Sequence, residues 1–212
     1  MRIHFDEELE MLNINMIKMG SLCEDVILKA TKYLFEKDEA IFQEVHKTDE
    51  KIDVIEREIE TLCLRLLLQQ QPVAQDLRTI SSALKMISDM ERIGDQASDI
   101  VDISKYVDMR DVESKTHIKD MAHATITMVK NSVESFVKKD YNLAESVEKY
   151  DDKVDALFDN IKTELTNLIC SNKQNSEFCL DLMMIAKYLE RIGDHATNIA
   201  GWVRFSLTGK HK

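Results

Sequence analysis

An all-α fold of two tandem three-helix bundles is the architecture this sequence predicts, on three observations. Helix breakers are scarce. The 212 residues include 5 Gly and 1 Pro, while Leu, Ile, Met, Glu and Lys abound, which favours long helices over strands. The chain also spells nearly the same ten residues twice. "ERIGDQASDI" occupies 91–100 and "ERIGDHATNI" occupies 190–199, identical at seven positions and offset by 99. Finally, blocks upstream recur in register. "TDEKID" (48–53) matches "YDDKVD" (150–155), and "EKD" (36–38) matches "KKD" (138–140), both at an offset of 102. The three-residue change of offset fits one loop, where "QQQPVAQD" (69–76) faces "SNKQNSEF" (171–178). A period near 100 residues is too long for a solenoid unit. It is the mark of a duplicated small domain, with the boundary expected between 108 and 109. The first bundle is then 1–108 and the second 109–212.

The elements follow in order. Helices are expected near 6–36, 39–69 and 72–107, and again near 112–138, 140–170 and 175–207. Asp38 and Asp140 stand where an N-cap is wanted, each after a lysine-rich helix end. Pro72 suits the first turn of the third helix, where a missing N–H is harmless. Helices of roughly 30 residues at 1.5 Å rise make bundles about 45 Å long.

Composition limits the partners. Hydrophobic residues make up 44% of the chain, enough for a core. The formal net charge is −11. A nucleic acid needs a basic footprint, so none is expected, and anionic membrane surfaces are disfavoured for the same reason. The cysteines, Cys23, Cys63, Cys170 and Cys179, form no C-x-x-C pair and read as small buried hydrophobes in a reducing compartment. "MRIHFDEELEM" at the start has no apolar signal region, and the longest apolar runs are as short as Leu182–Ala186. A cytoplasmic protein is the expectation.

The repeated residues lie on one face. With Glu91 at the zero of angle, Asp95 falls at about 40° and Asp99 at about 80°. The apolar arc, through Ile80, Ala83, Met86, Ile87, Met90, Ile93, Ala97 and Ile100, runs from about 180° to 340°. The carboxylates therefore line a seam beside the buried face. Gly94 falls inside the apolar arc, and its repeat is Gly193. A mid-helix glycine costs about 1 kcal/mol relative to Ala, so close approach of a neighbouring helix is expected there. The second helix repeats the pattern with Asp49 and Asp53 beside Ile52, Ile55, Ile59 and Leu66, and the fifth with Asp151 and Asp155 beside Val154, Leu157, Ile161 and Leu168. Glu56 and Glu60 do not recur, since Phe158 and Lys162 take their places.

Each bundle thus presents D-x-x-x-D on one helix and E-x-x-x-D on the next. Converging carboxylates repel or take up protons unless a cation joins them, and all-oxygen sets suit iron, manganese, magnesium or zinc. Candidate ligands are Asp49, Asp53, Glu91, Asp95 and, at the margin, Asp99; in the second half they are Asp151, Asp155, Glu190 and Asp194. The plain alternative is a solvated acidic face, with Arg92 and Arg191 as available partners although each points about 100° from its Glu. His46, one turn before Asp49, is a possible extra ligand; His195 lies about 140° from Glu190 and reads as surface or helix packing. Trp202 reads as core.

Three functions remain open on these residues. A ferritin-like di-metal enzyme needs Glu-x-x-His, which none of the six His completes. A purely structural helical adaptor would leave the acids solvated. A metal-binding regulatory adaptor would use them. No nucleophile–base set, glycine-rich phosphate loop or cysteine–histidine metal set is present, so no enzymatic activity is expected.

"QQPVAQDLRTISSALKMISDMERIGDQASDI" (70–100) and "KYLERIGDHATNIA" (187–200) resemble the two signatures of the PhoU family of phosphate-uptake regulators. The resemblance extends over essentially the whole chain. It implies two three-helix bundles, with multinuclear iron or zinc clusters on the acidic motifs in members that carry metal. It implies a negative regulator without enzymatic activity, linking the phosphate-specific ABC transporter to the sensor histidine kinase of the phosphate regulon. It would reach membranes only through those partners, and a homodimer is the expected assembly. Two departures make the seams unequal: Asn198 replaces an acid at the position of Asp99, and the second half lacks a counterpart of "PVAQDLR". The first seam is expected to bind metal more tightly.

Overall fold

The computed structural model describes residues 2–69, 72–109, 117–172 and 176–210. Among these it contains helices and no strand: α1 (Arg2–Glu36), α2 (Glu39–Gln69), α3 (Ala74–Ser104), α4 (Ile118–Lys138), α5 (Tyr141–Ser171) and α6 (Ser176–Thr208). The expected all-α duplication is what the structure has. No helix is long and apolar enough to cross a membrane among the described residues.

The repeated Lys-Asp dipeptides are the corners between helices. Lys37 and Lys139 have left-handed backbones, with φ of 55° and 53°. Asp38 then accepts from Ala40 N at 2.8 Å, and Asp140 from Leu143 N at 3.0 Å. Each aspartate satisfies a donor that the new helix leaves open. α1 starts earlier than expected because its first turns are anchored: Phe5 is buried, and buried Glu8 pairs with Arg65 of α2 at 2.7 Å. Pro72 stands two residues before α3 rather than in its first turn. Extended Val73 is the N-cap, and Leu77 N closes the first turn on Val73 O at 2.9 Å. The fixed φ of proline suits an extended lead-in as well as a helix start. α3 ends at Ser104, before the expected 107, because Tyr106 N and Val107 N tighten the chain onto Ile103 O and Ser104 O. The expected start of the fourth helix at 112 lies outside the described residues.

Within each half the three helices pack on one another, and the halves then meet through corresponding helices: α1 against α4 and α3 against α6, the latter the most extensive contact in the molecule. Exchanging α1–α3 with α4–α6 leaves this contact pattern unchanged, as a pseudo-twofold relation requires. α2 and α5 lie on the outside. Gly20 of α1 admits α4, since a Cβ there would sit 2.9 Å from Val133 Cγ1. One continuous core spans both halves, from Leu12, Met16 and Ile27 through Met86 and Ile93 to Leu182 and Ile192. Burial of each such side chain contributes at most about 1.5–3 kcal/mol. Three cysteines are buried as expected, but Cys170 is exposed near the end of α5. Trp202 packs against the core from a half-buried position rather than within it.

Candidate functional site

The first seam lies where α2 meets α3. Asp49 is pressed against Gly94: a Cβ on that glycine would stand 2.5 Å from Asp49 Oδ1 and 3.1 Å from Ile52 Cδ1. Ser98 donates to Asp49 Oδ2 at 2.8 Å, while Oδ1 is buried with no hydrogen-bond partner. Burial raises the Asp49 carboxyl above the ordinary range, the Ser98 bond opposes this, and Asp95 and Asp53 add to the rise. Burial likewise raises Glu91, reinforced by Asp95, Glu56 and Asp53 and opposed by Arg92. The Arg92 side chain reaches Asp95 at 2.9 Å and Glu91 at 3.4 Å despite its different helical angle, because its long stem swings over the seam. Asp49, Asp95, Asp99, Arg92 and Arg191 line a cavity of about 410 Å³. Glu56 belongs to this seam too, its carboxyl raised by burial and by Glu60 and Asp53. The requirement that a ligand recur in both halves had set it aside; its position one turn from Asp53 was the available signal.

The second seam joins α5 to α6 and is more open. Asp155 and Asp194 are exposed. The Asp151 carboxyl is pushed up to about 6, by burial first and then by Asp155, Asp194, Asp152 and Glu190. Asp194 is raised by burial and by Glu190, with Lys187 opposing. Lys187 is paired with Glu190. A Cβ on Gly193 would lie 3.5 Å from Asp151 Oδ1 and from Val154 Cγ1, an ordinary contact. The close approach expected at both glycines occurs only at Gly94, and its cause is a carboxylate and an Ile side chain rather than a helix backbone.

The donor chemistry suits a hard or borderline cation, since each seam offers only carboxylate oxygens and one buried oxygen of Asp49 is unsatisfied. Among the described residues, however, no three His, Cys, Asp or Glu side chains stand grouped to hold an ion. Arg92 and Lys187 supply the countercharge in this arrangement. His46 stands near enough to Asp49 to oppose the rise of its carboxyl; it lies 3.6 Å from Asp102 and edge-on to Phe42.

Beside the seams runs a polar joint between α3 and α6. His195 Nδ1 donates to Asp89 Oδ1 at 2.8 Å, and Asn198 Nδ2 donates to the same oxygen at 3.2 Å. Tyr188 of α6 hydrogen-bonds Asp99 of α3, whose carboxyl is raised by burial and lowered by that bond, with Arg191 also near. His195, read as surface or helix packing, is a contact between bundles. Asn198, read as a weakened seam position, is another. Asp99 borders both the first-seam cavity and this joint.

Both repeats match the model of the PhoU domain, at residues 16–104 and 118–203. Over 212 residues the chain is 36% identical to the phosphate-specific transport system accessory protein PhoU homolog of Clostridium acetobutylicum, covering 97% of this chain and 95% of that one. It is 31% identical to PhoU homolog 1 of Thermotoga maritima, covering 99% and 91%. The crystal structure of PhoU from Pseudomonas aeruginosa superposes with a TM-score of 0.86 at 32% identity, covering 97% of this chain and 100% of that one. The phosphate transport system regulatory protein PhoU from Streptococcus pneumoniae shares the fold, with a TM-score of 0.85 at 24% identity over 98% and 99% of the two chains.

Proposed function

The chain belongs to the PhoU family, and from that premise we propose that it is an accessory protein of a phosphate-specific transport system. The observation that carries this reading is the match of both repeats to the family and of nearly the full chain to relatives so named. The finer proposal is an adaptor and negative regulator. In ample phosphate it holds the sensor histidine kinase in its inhibitory state and restrains the ABC transporter. A chain of net charge −11 with no catalytic constellation acts by binding. Two bundles offer two faces, so one adaptor can touch both partners. A cytoplasmic location and a homodimer complete the proposal.

The seams are its proposed metal sites, with iron or zinc as the metal. Asp49, Asp53, Glu56, Glu91 and Asp95 would hold it in the first bundle, and Asp151, Asp155, Glu190 and Asp194 in the second. A bound cation would supply the positive charge these carboxylates need to stay ionised together. The residues do the rest. Ser98 orients Asp49, and Arg92 and Lys187 hold acids that a cation would otherwise claim. Asp99 links the first seam to the joint, so occupancy there would bias how the bundles pack, by as much as the cation's affinity differs between the two packings.

Deleting the gene tests the regulatory reading. Phosphate-regulon expression should rise while phosphate is plentiful, and a transporter subunit or the kinase should co-purify with the tagged protein. Expression as low as in the parent strain, with neither partner captured, would exclude the adaptor.

A further inference from the structure

A cavity of about 760 Å³, larger than that of the first seam, opens between α5 and α6. Its walls include Tyr141, Glu148, Gly201, Trp202, Arg204 and Lys210. Three observations set it apart.

The first is Gly201. A glycine inside a helix costs about 1 kcal/mol relative to Ala. Gly20 and Gly94 are required by neighbours, at 2.9 Å and 2.5 Å from a would-be Cβ. At Gly201 a Cβ would meet nothing within 4 Å among the described residues. None of those residues calls for bare backbone at this point, which leaves room for something brought from outside.

The second is charge. The chain is strongly acidic, yet the end of α6 gathers Arg204, Lys210 and Arg78, which packs beside Gly209 and donates to Ser206 O at 3.4 Å. Glu148 stands against them, bound to Arg204 at 2.5 Å. Arg204 also donates to Tyr141 Oη at 3.1 Å and lies 5.1 Å from the centre of its ring. The groove therefore presents a guanidinium held by Glu148 and Tyr141, two aromatic rings and the Lys210 ammonium, with Arg78 beside it at Gly209.

The third is the duplication, which serves as an internal control. At an offset of 99, Gly201, Trp202 and Arg204 face Asp102, Ile103 and Lys105. There Asp102 pairs with Lys105 on its own helix at 3.1 Å and lies 3.6 Å from His46 of α2. The glycine and the tryptophan are special to the second bundle. Trp, Tyr and Arg are also the residues in which interface binding energy concentrates.

We propose that this groove docks an acidic segment of a partner protein. The segment lays a bulky apolar side chain over Gly201 against Trp202, and its carboxylates face Lys210 and Arg204. The inference rests on the accessory reading above and assigns it a surface.

Trp202 is the chain's single tryptophan, so its emission reports on this groove alone. The probes are overlapping tryptophan-free peptides that tile the cytoplasmic faces of the phosphate transporter and kinase of the same organism. An acidic peptide should shift the emission to shorter wavelength and bind more weakly as salt rises. Gly201→Leu projects into the groove from a Cβ position that meets none of the described residues within 4 Å; it should keep the helix content, hold or raise the melting temperature through helix propensity, and weaken that peptide by at least about tenfold. Lys210→Glu should weaken it as well. Unchanged affinity in Gly201→Leu, or peptide binding with unaltered Trp202 emission, would overturn the proposal. So would a Trp202 response to orthophosphate, ATP or anionic vesicles without one to peptides. Co-purification separates this from the parent reading. If wild type and Gly201→Leu capture the transporter equally, the groove is wrong and the accessory role stands; if neither captures it or the kinase, both fail.

Discussion

Tyr188 of α6 donates its hydroxyl to Asp99 of α3, and the duplication places the same pair elsewhere with its roles reversed. At an offset of 99, Tyr188 corresponds to Asp89 and Asp99 to Asn198. There Asn198 is the donor and Asp89 the acceptor, at 3.2 Å. The joint thus carries one acid at each end, with Tyr188 donating to Asp99 and both Asn198 and His195 donating to Asp89. Asn198 is half of a matched exchange.

Changing Asn198→Asp tests that exchange. If position 198 served the second seam, a carboxylate there should strengthen metal binding. The joint instead brings it against Asp89, with like charges in contact. We expect a loss of about 1–2 kcal/mol in urea unfolding, from the lost donor and the repulsion, and no gain of metal by elemental analysis. Asp89→Ala should cost a similar amount by leaving His195 and Asn198 without their acceptor.

The two repeated glycines should part company. Gly193→Ala meets only ordinary contacts, so it should gain up to about 1 kcal/mol from helix propensity. Gly94→Ala displaces the Asp49 carboxylate and strains its bond to Ser98. It should be destabilising, or at best lose the gain seen at Gly193. Equal urea midpoints for the two variants would count against the asymmetry.

Metal-free protein should lose stability as pH rises through the mildly acidic range. Asp151 titrates at about 6 in the folded state against an ordinary 3.8. Between those values the folded chain holds a proton that the unfolded chain has released. Stability therefore falls as pH climbs through that window and stays lower above it. Asp151→Asn should raise the urea midpoint at pH 7 and flatten the slope. A residual slope of the same sign remains, because Asp49, Glu91 and Asp194 are also raised. An undiminished slope in the variant would show that Asp151 is not its source.

Protein purified without chelator should carry iron or zinc, read by elemental analysis. Glu91→Gln/Asp95→Asn should remove more of it than Glu190→Gln/Asp194→Asn, since the first seam is less exposed and includes Glu56. Metal content unchanged in both double variants would place the metal elsewhere.

Lys139→Gly should stabilise the chain by up to about 1 kcal/mol, because Lys139 sits at φ 53° and glycine adopts that region freely. Lys37→Gly should gain less, since it also removes a side-chain bond to Ser104 O. Thermal melts of the two variants decide it.

The helices were legible because their signals are local. The Lys-Asp corners and the apolar arcs need only neighbours in sequence, and Asp38 and Asp140 cap as expected. Pro72 misled by two residues because the same fixed φ serves an N-cap's approach and a first turn. The seam residues were legible as helix faces. Their pairing with Arg92 and Lys187 was not, because long side chains reach across helical angles. His195 was rightly placed off the seam, but nothing local says that α3 of the other bundle waits there with Asp89. The difference between Gly94 and Gly193 is one of a single ångström in a neighbour's position, and a repeated motif hides it.

The packing of α1 on α4 and α3 on α6 has a further consequence. It is the geometry of a two-subunit assembly whose subunits have been joined end to end. In a true homodimer every substitution appears on both sides of the axis at once, and an acid facing its own copy would have to be tolerated twice. Once the subunits share a chain, each side mutates alone. Asp89 and Tyr188 could diverge, each finding its own complement opposite, and Gly201 and Trp202 could arise on one side only. Joining the halves also replaces a meeting of two molecules with a step inside one, so the bundles stay paired at any dilution.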